Sequence, residues 1–412
     1  MKIKALLLTL LTPLLAIANE EVKTIDQPAE KPATIKVLLE RCSEGVLLEA
    51  RGPYVVYNPE NGKRESSGRF DKRFYLHPHE EGIKWGENFR KIYQLQIVPT
   101  SPETTFLIDG TQYRGAIEVY NIENRLSIIN EVDVESYLKA TLSEKVPANL
   151  PPNVLDAVAI AARTDAYYHA LLNYDAFWHV TKEETGYQGT SLALQNIALD
   201  RAIDNTKYLV LTHEEQPFPT AWTEHCGGKT ASYASIFRKN TATPEGVTVT
   251  IANKKRKESY WSLTVETKEL AKLVKTNRIT GMDLFVDHTS GKVYATRLRD
   301  GTHEEDVDFM TLQKCLGKER LKSNDFTVSI KGNIALFEGY GEGHGVGLCL
   351  FSASKIAERG DLAPAILAEF FPHTTLEKMR SYPKAIVSSK KSSFVSPKQK
   401  ESTKKKARLL HK

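Results

Sequence analysis

The sequence predicts an α+β protein with a β-rich N-terminal part, a central helical core that forms a cleft, and a smaller mixed α/β subdomain. Two observations predict this fold class. Apolar and polar residues alternate in short segments between residues 34 and 130, which is the period of half-buried strands. From Asp133 onward the apolar residues recur at helical spacing, and seven alanines between Ala157 and Ala176 indicate closely packed helices.

Short strands separated by turn residues make up the predicted β-rich part. Gly52-Pro53 breaks one segment, and Asp109-Gly110 predicts a hairpin because this pair favours turns that match strand twist. A further pair is expected to meet across Glu123-Asn124. The strand-like segments are residues 34–39, 45–57, 92–98, 106–108, 113–115, 117–120 and 126–129.

Two helices follow, each with its own start signal. Asp133 is a plausible N-cap for the first helix, which Val146-Pro147 stops because the residue before proline avoids helical geometry. Pro152 suits the first turn of a second helix that runs to about Asn173. The later elements are a helix over 190–205, strand-like segments at 207–212 and 217–222, a mixed region from 247, and a helix over 352–358.

The length of 412 residues allows one large or two modest folded units. With 26% charged and 41% hydrophobic residues, the composition is that of a globular protein. We expect one domain over residues 35–383. Its parts are a β-rich region (35–130), a helical core (131–206) and a mixed cleft-forming region (207–383).

The first eighteen residues predict a signal peptide. Lys2 and Lys4 precede an apolar run over 5–17 that ends in small residues, and the run is short beside the ~20 residues of a membrane span. An uncleaved N-terminal anchor is the alternative. Residues 19–34 are polar and proline-bearing, as in a linker. We therefore expect an exported protein of the periplasm or cell envelope, with no transmembrane span in the mature chain.

A basic tail is predicted at residues 384–412, which carry ten Lys or Arg and one Glu although the whole chain has a net charge of +5. Its Ser- and Lys-rich composition indicates disorder. A solvated tail, an envelope tether and a nucleic-acid arm are the three interpretations. Export argues against the last, so no nucleic-acid partner is expected.

The four cysteines permit three full pairings, and free buried thiols are the alternative. None forms a CxxC pair, which argues against a zinc knuckle. They are Cys42, Cys226, Cys315 and Cys349.

Glu144 is the first candidate for chemistry. It falls seven residues after Tyr137, on the same side of the first helix and at its carbonyl end, where the helix dipole opposes ionisation of a carboxylate. Burial beside Val146 and Pro147 would act in the same direction. Such a carboxyl group could donate a proton to a leaving oxygen. The alternative is an ordinary exposed helix glutamate.

Three other motifs invite both structural and functional interpretations. Arg163 lies within an alanine face, where a buried cation must be paired. Gly227-Gly228 would let the backbone approach a ligand, while the preceding Cys226 raises the possibility of a thiol nucleophile. The glycine run from Gly339 to Gly347 contains a stray GxGxxG spacing, but no βαβ unit surrounds it, so a dinucleotide loop is not expected.

In their order and spacing these motifs resemble the stage II sporulation protein D and amidase-enhancer family, over residues 35 to 365. Departures include Asp165 where tyrosine is usual, Glu342 in place of an aromatic residue and Leu350 in place of glutamine. The matching segments are Glu135-Ser136-Tyr137-Leu138 with Glu144-Lys145-Val146-Pro147, Ala159–Tyr167, Gly186–Gly189, Cys226–Thr230 and Gly339–Gly347.

The resemblance implies roles for individual residues. The family's catalytic glutamate falls on Glu144, and His344 would line the cleft, orienting Glu144 or binding sugar. Some members bind zinc through His and Cys, but His169 and His179 are a poor counterpart, so neither a metal nor a cofactor is expected. The implied substrate-binding residues are Arg163, Gln188, Gly227, Gly228, Thr230, Gly343, His344 and Gly345.

The resemblance also implies a function: a lytic transglycosylase that cuts between N-acetylmuramic acid and N-acetylglucosamine in peptide-stripped glycan, during cell-wall remodelling or division. Its partners would be peptidoglycan glycan strands and a cell-wall amidase. The first alternative is a non-catalytic glycan binder that enhances or recruits an amidase. The second is a hydrolytic muramidase that pairs Glu144 with Asp133, Asp156 or Asp165. The oligomeric state stays open.

Overall fold

The computed structural model describes residues 31–79, 81–147, 149–190 and 196–383. The predicted signal peptide, most of the linker and the basic tail lie outside them. The described chain from Pro32 onward forms one compact unit. No helix in this part of the chain is both long and apolar enough for a membrane span.

The strands before the first helix are β1 (Thr34–Cys42), β2 (Val46–Arg51), β3 (Tyr54–Asn58), β4 (Lys63–Gly68), β5 (Lys72–His79), β6 (Gly82–Trp85), β7 (Glu87–Arg90), β8 (Gln94–Pro99), β9 (Thr105–Ile108), β10 (Thr111–Tyr113), β11 (Ala116–Ile122) and β12 (Arg125–Asp133). The later strands are β13 (Val180–Thr181), β14 (Leu209–Thr212), β15 (Trp222–Thr223), β16 (Tyr260–Glu266), β17 (Gly281–Val286), β18 (Val293–Arg299), β19 (Glu304–Asp308), β20 (Phe326–Lys331), β21 (Ile334–Tyr340), β22 (Leu348–Cys349) and β23 (Thr375–Lys378).

The helices are α1 (Val134–Leu142), α2 (Pro152–Leu172), α3 (Lys182–Thr185), α4 (Ile197–Asn205), α5 (Tyr233–Phe237), α6 (Thr250–Lys254), α7 (Thr267–Ala271), α8 (Phe309–Leu316), α9 (Leu350–Ala357) and α10 (Ala363–Phe370), with a 3₁₀ turn at Arg256–Ser259. Helices and antiparallel sheets together confirm the α+β class.

Two sheets form the N-terminal part. One has the strand order β13-β1-β12-β11-β8-β3-β4, and the other has the order β10-β9-β2-β5-β6-β7. The predicted break at Gly52-Pro53 separates β2 from β3, and the predicted hairpins at Asp109-Gly110 and Glu123-Asn124 join β9 to β10 and β11 to β12. All four hairpin residues have positive φ, as tight turns between twisted strands require.

Strands β4 to β7 were not predicted. Every residue of β4 is at least partly exposed, and in β5 only Leu76 is fully buried. Without a buried face, neither strand has the apolar alternation from which strands are recognised. Hydrogen bonding to β3 and β2 places them in the sheets.

The two central helices begin where their start signals predict. The Asp133 carboxylate accepts the Ser136 N–H at 3.0 Å, and α2 starts at Pro152 and ends one residue before Asn173. The first helix is shorter than expected, because α1 ends at Leu142 and Glu144 lies in the turn that follows it. The α2 helix contacts α1, α4, α9, α10 and β14, and nearly all of its alanines are fully buried.

A second hydrophobic cluster lies between residues 261 and 337. Two three-stranded antiparallel sheets, β16-β21-β20 and β17-β18-β19, surround it with α7 and α8. Trp261, Phe326 and Phe337 supply its aromatic core. This part of the chain therefore has a core of its own beside the main one.

A buried ion pair joins the central helices. Arg163, which is 0% exposed, donates to both oxygens of Glu135 at 2.9 and 2.7 Å. Its remaining N–H groups bond to the Ile203 and Leu209 carbonyls and to the Thr206 hydroxyl. The guanidinium thus connects α2 to α1, α4 and the start of β14.

We expect Arg163→Met to lower the free energy of unfolding by about 3–5 kcal/mol, because it leaves the Glu135 carboxylate buried without its partner. Urea denaturation at pH 7 measures this value. The control is Lys139→Met, which breaks the partly exposed ion pair with Asp204 and should cost at most about 1 kcal/mol. Equal losses for the two variants would contradict the assignment.

Candidate functional site

Glu144 lies on the surface immediately after α1. Its side chain is exposed, and the Gln188 amide donates to its carboxylate at 3.4 Å. The expected burial beside Val146 and Pro147 is not found, since Pro147 is exposed as well. Two residues predicted as catalytic and substrate-binding, 44 positions apart, are therefore neighbours and both are accessible to a ligand.

The segment after α3 holds Gln188 in this position. The Lys145 ammonium donates to the Thr185 carbonyl at 2.5 Å, which fastens the turn containing Glu144 to this segment. Gly189 has a φ of +75°, and a Cβ there would collide with the Gln112 carbonyl of β10. The close approach between Gly189 and β10 therefore requires glycine.

Tyr187 anchors the same segment in the core. Its ring packs against Tyr113 at 5.9 Å and Tyr137 at 5.7 Å, measured between centroids. Its hydroxyl donates to the buried Asn130 side chain at 2.7 Å. Tyr187 thus fixes its neighbour Gln188 relative to both β12 and α1.

The two predicted glycine motifs also come together. Strand β15 pairs with β22 in parallel, and His225 forms an antiparallel bridge with Glu342. The Thr223 hydroxyl donates to the Glu342 carbonyl at 2.7 Å and accepts the Gly345 N–H at 3.3 Å. A Cβ on Gly343 would collide with Thr223, so these two loops meet too closely for any other residue at position 343.

Most of the residues in these loops are buried, which corrects five predicted ligand contacts. Gly227 and Gly228 pack against Arg256 and Asn253, and the Thr230 hydroxyl accepts the Val247 N–H. These three positions and the glycines on either side of His344, at 343 and 345, lie within the protein. Their glycines serve loop packing, which needs the same conformational freedom as a ligand contact.

His344 is partly exposed, between two buried glycines of its loop. Its Nδ1 accepts the Val346 N–H at 3.1 Å, so the ring proton is on Nε2, and its edge meets the Phe237 ring. Burial lowers the pKa of His344 to about 4, which keeps the ring neutral at pH 7 with one N–H free to donate. Among the described residues no hydrogen bond joins His344 to Glu144, and the predicted roles of His344, orienting Glu144 or binding sugar, stay predictions.

Arg163 also departs from its predicted ligand contact. The guanidinium is fully buried and uses all its N–H groups inside the protein, so it has no donor left for a ligand. The structural alternative, pairing with a carboxylate, is the one observed.

Asp165 lines the same cavity as Lys145, the residue after Glu144. Its carboxylate accepts the Thr220 N–H at 3.3 Å and approaches His169 to 3.7 Å, while 34% of its side chain is accessible. Burial raises the pKa of Asp165 despite His169, Thr220 and Lys145 nearby. The burial of Tyr233 and, to a smaller extent, the charge of Asp165 raise the pKa of Tyr233 to about 12. Tyr233 in turn contacts Phe237, whose ring meets His344.

Few sequence signals pointed to Asp165 and Glu224. Asp165 stood out because it occupies a position where the resembling family has tyrosine. Glu224 carried no signal, although it ion-pairs with Lys318 and lies against Gly343. Among the described residues, no three His, Cys, Asp or Glu side chains come together as a metal site.

Comparison with known proteins relates the chain to one family. A family model described as SpoIID, stage II sporulation protein, matches residues 122–213, which include Glu144, Arg163 and Gln188. An uncharacterized protein of Chlamydia muridarum is 34% identical over 205 residues, 48% of this chain and 71% of the relative.

Two relatives from Bacillus subtilis are more distant. Stage II sporulation protein D is 23% identical over 285 residues, 65% of this chain and 80% of that protein. Amidase enhancer is 25% identical over 343 residues, 68% of this chain and 46% of that protein. The chain belongs to the stage II sporulation protein D family.

The pKa of His344 makes stability depend on pH. The ordinary pKa is 6.5 and the folded one about 4, so the unfolded chain takes up the proton first as pH falls. The stability contribution of the neutral ring is present above pH 6.5 and is lost towards pH 4. We expect His344→Gln to lose less stability than the wild type between pH 7 and 4.5, measured by urea unfolding. His303→Gln, at an exposed position, is the control, and identical pH slopes for all three proteins would contradict the assignment.

Proposed function

We propose that this protein is an exported cell-wall enzyme, a lytic transglycosylase that cuts the β-1,4 bond between N-acetylmuramic acid and N-acetylglucosamine. Family membership supports a substrate in the cell wall, because relatives carry the names stage II sporulation protein D and amidase enhancer. The observation that carries the proposal is Glu144, an accessible carboxylate fixed beside the Gln188 amide.

Glu144 would act first as an acid and then as a base. It gives its proton to the glycosidic oxygen as the bond to the anomeric carbon breaks. The C6 hydroxyl of the same muramic acid then attacks that carbon, and the Glu144 carboxylate takes the hydroxyl proton. The product is a 1,6-anhydro sugar, and Glu144 ends protonated as it began. One carboxyl group suffices because no water has to be activated.

The surroundings of Glu144 suit this role. Gln188 can hydrogen-bond sugar hydroxyls while it orients the carboxylate, since an amide has two N–H donors and one oxygen acceptor. The His344 Nε2–H is a second neutral donor, held by Val346 and Phe237 rather than by Glu144. We propose that a glycan strand extends along the surface between these residues.

The alternative is a glycan binder that stimulates an amidase without cutting. Two observations favour it: one relative is named amidase enhancer, and the Glu144 side chain is exposed instead of buried beside Val146 and Pro147. In that case the amidase would be the partner that cuts.

A hydrolytic muramidase would need a second carboxylate to activate water. Asp133 caps α1, and Asp156 lies on α2 but does not line the cavity that Asp165, Lys145 and Thr185 share. Asp165 lines the cavity beside Lys145, and Asp133 lines a smaller one, so the masses of the products must decide between hydrolysis and anhydro-sugar formation.

We expect Glu144→Gln to reduce fragment release at least about 100-fold, because general acid–base catalysis contributes about 10²- to 10⁴-fold. The assay is digestion of purified, peptide-free glycan strands followed by mass spectrometry. Products should be one water lighter than hydrolytic fragments. Glu183→Gln, which removes an exposed carboxylate from α3, is the matched control and should cut normally.

Two other results would contradict the transglycosylase and identify an alternative. Fragments with the mass of hydrolytic products would replace the transglycosylase with a muramidase. A wild-type protein that binds glycan without releasing fragments, yet stimulates an amidase equally with and without Glu144→Gln, would establish the enhancer.

A further inference from the structure

A cavity of about 950 Å³ opens beside the residue that follows Glu144. Lys145 and Thr185 line it, and both belong to the segments that hold Glu144 and Gln188 together. Asp165 and His169 of α2 form another wall. Ligand cavities in proteins commonly have volumes of about 300–1,000 Å³, so this one is large enough for a sugar unit or more.

The cavity lining combines fixed aromatic surface with a few polar groups. Phe177 is 48% exposed and its ring is held by Tyr120, with centroids 4.6 Å apart. Tyr137 and Trp178 add further apolar surface. A sugar ring presents apolar C–H groups on its faces and hydroxyls at its edge, so it needs both kinds of contact.

The charges of the residues that line the cavity disfavour an anionic ligand. Asp165, Asp175 and Glu184 contribute three carboxylates to the cavity lining. Among the described residues that line the cavity, Lys145 is the one Lys or Arg, and two histidines accompany it. Lys145 already donates to the Thr185 carbonyl, and burial of its ammonium group lowers its pKa. An anionic ligand, such as a phosphate or a sugar bearing a carboxylate, would meet mostly like charge.

We propose that this cavity is a glycan subsite for an uncharged N-acetylhexosamine, and that Asp165 is its specificity-determining residue. The proposal rests on the proposed function. Of the two sugars in the strand, N-acetylglucosamine is neutral and N-acetylmuramic acid carries a lactyl carboxylate, so the cavity would take N-acetylglucosamine. Asp165 is held by the Thr220 N–H and keeps accessible surface with which to bond a hydroxyl or an acetamido N–H.

The test is calorimetric titration of the full chain carrying Glu144→Gln with the N-acetylglucosamine tetramer, so that cleavage does not enter. Adding Asp165→Asn should weaken binding about tenfold or more, because a hydrogen bond to a charged group is lost. Asparagine still accepts the Thr220 N–H, so the fold is kept, which thermal unfolding verifies. Asp156→Asn, on the same helix outside the cavity, should bind like its parent.

Three outcomes would overturn the subsite: unchanged affinity in Asp165→Asn, equal weakening in Asp156→Asn, or tighter binding of a muramyl peptide than of the neutral tetramer. Failure of the subsite differs from failure of the proposed function. If Glu144→Gln alone abolishes cleavage but Asp165→Asn binds normally, only the subsite is wrong. If Glu144→Gln still cuts while Asp165→Asn loses binding, only the catalytic assignment is wrong.

Cys226 and Cys349 carry a second, independent inference. They are 123 positions apart, both are 0% exposed, and the Cys349 sulfur accepts the Cys226 N–H at 3.3 Å. Burial raises the pKa of Cys349, but hydrogen bonds from Cys226 and Ser352 outweigh this effect and lower that pKa. Cys42 and Cys315 lie elsewhere, in β1 and α8.

The geometry points to a Cys226–Cys349 disulfide that ties the Cys-Gly-Gly loop to the strand after His344. It would form by exchange with a disulfide such as oxidised glutathione. Each exchange transfers one S–S bond, so the two thiols lose two protons and two electrons and the oxidant gains them. Because the bond closes a long loop, it should also stabilise the fold.

After incubation with oxidised glutathione, the full chain should show two rather than four free thiols on unfolding, and a peptide pair linked through 226 and 349. Cys226→Ser should lose the linked pair and unfold several degrees lower than the oxidised wild type, whereas Cys42→Ser and Cys315→Ser should keep the pair. Four free thiols after oxidation, or a link through Cys42 or Cys315, would overturn the assignment.

Discussion

The position of Glu144 depends on an interaction in the core, the ion pair between Arg163 and Glu135. The Arg163 guanidinium binds Glu135 of α1 together with carbonyls after and within α4, so it fixes how α1 lies against α2 and α4. Because α1 ends two residues before Glu144, that packing also determines where the proposed acid is presented. A buried guanidinium is tolerated only when all its donors are bonded, and here they are. The position of Glu144 is therefore determined by how α1 packs against α2 and α4.

Local signals were sufficient for much of the fold. Asp133, Pro152 and the Asp109-Gly110 turn act through their own backbone geometry, so each could be interpreted from a few residues. Strands β4 and β5, which lack a buried face, could not be found in this way, because only their pairing with other strands defines them. The same limit applies to helix α10, whose buried residues depend on contacts with α2 and α9.

The site was harder to predict than the fold. Motif order drew attention to Glu144 and Gln188, but their amide–carboxylate contact depends on the packing of Tyr187 in the core, which the motifs do not indicate. The glycines of the two loops were predicted to contact a ligand, but in the structure they lie against other parts of the protein. Sequence does not distinguish these cases, because glycine permits the close approach of either a ligand or another segment. Asp165 was visible only as a departure from the resembling family, and its cavity arises from segments that fold together around α2.

The proposed catalysis requires that the Glu144 side chain reach the glycosidic oxygen of a bound glycan strand. The most direct measurement is a crystal structure of Glu144→Gln with peptide-free glycan. We expect the residue 144 amide to lie about 2.6–3.2 Å from the oxygen between N-acetylmuramic acid and N-acetylglucosamine. A strand bound with that oxygen far from residue 144, or on another face of the protein, would contradict it.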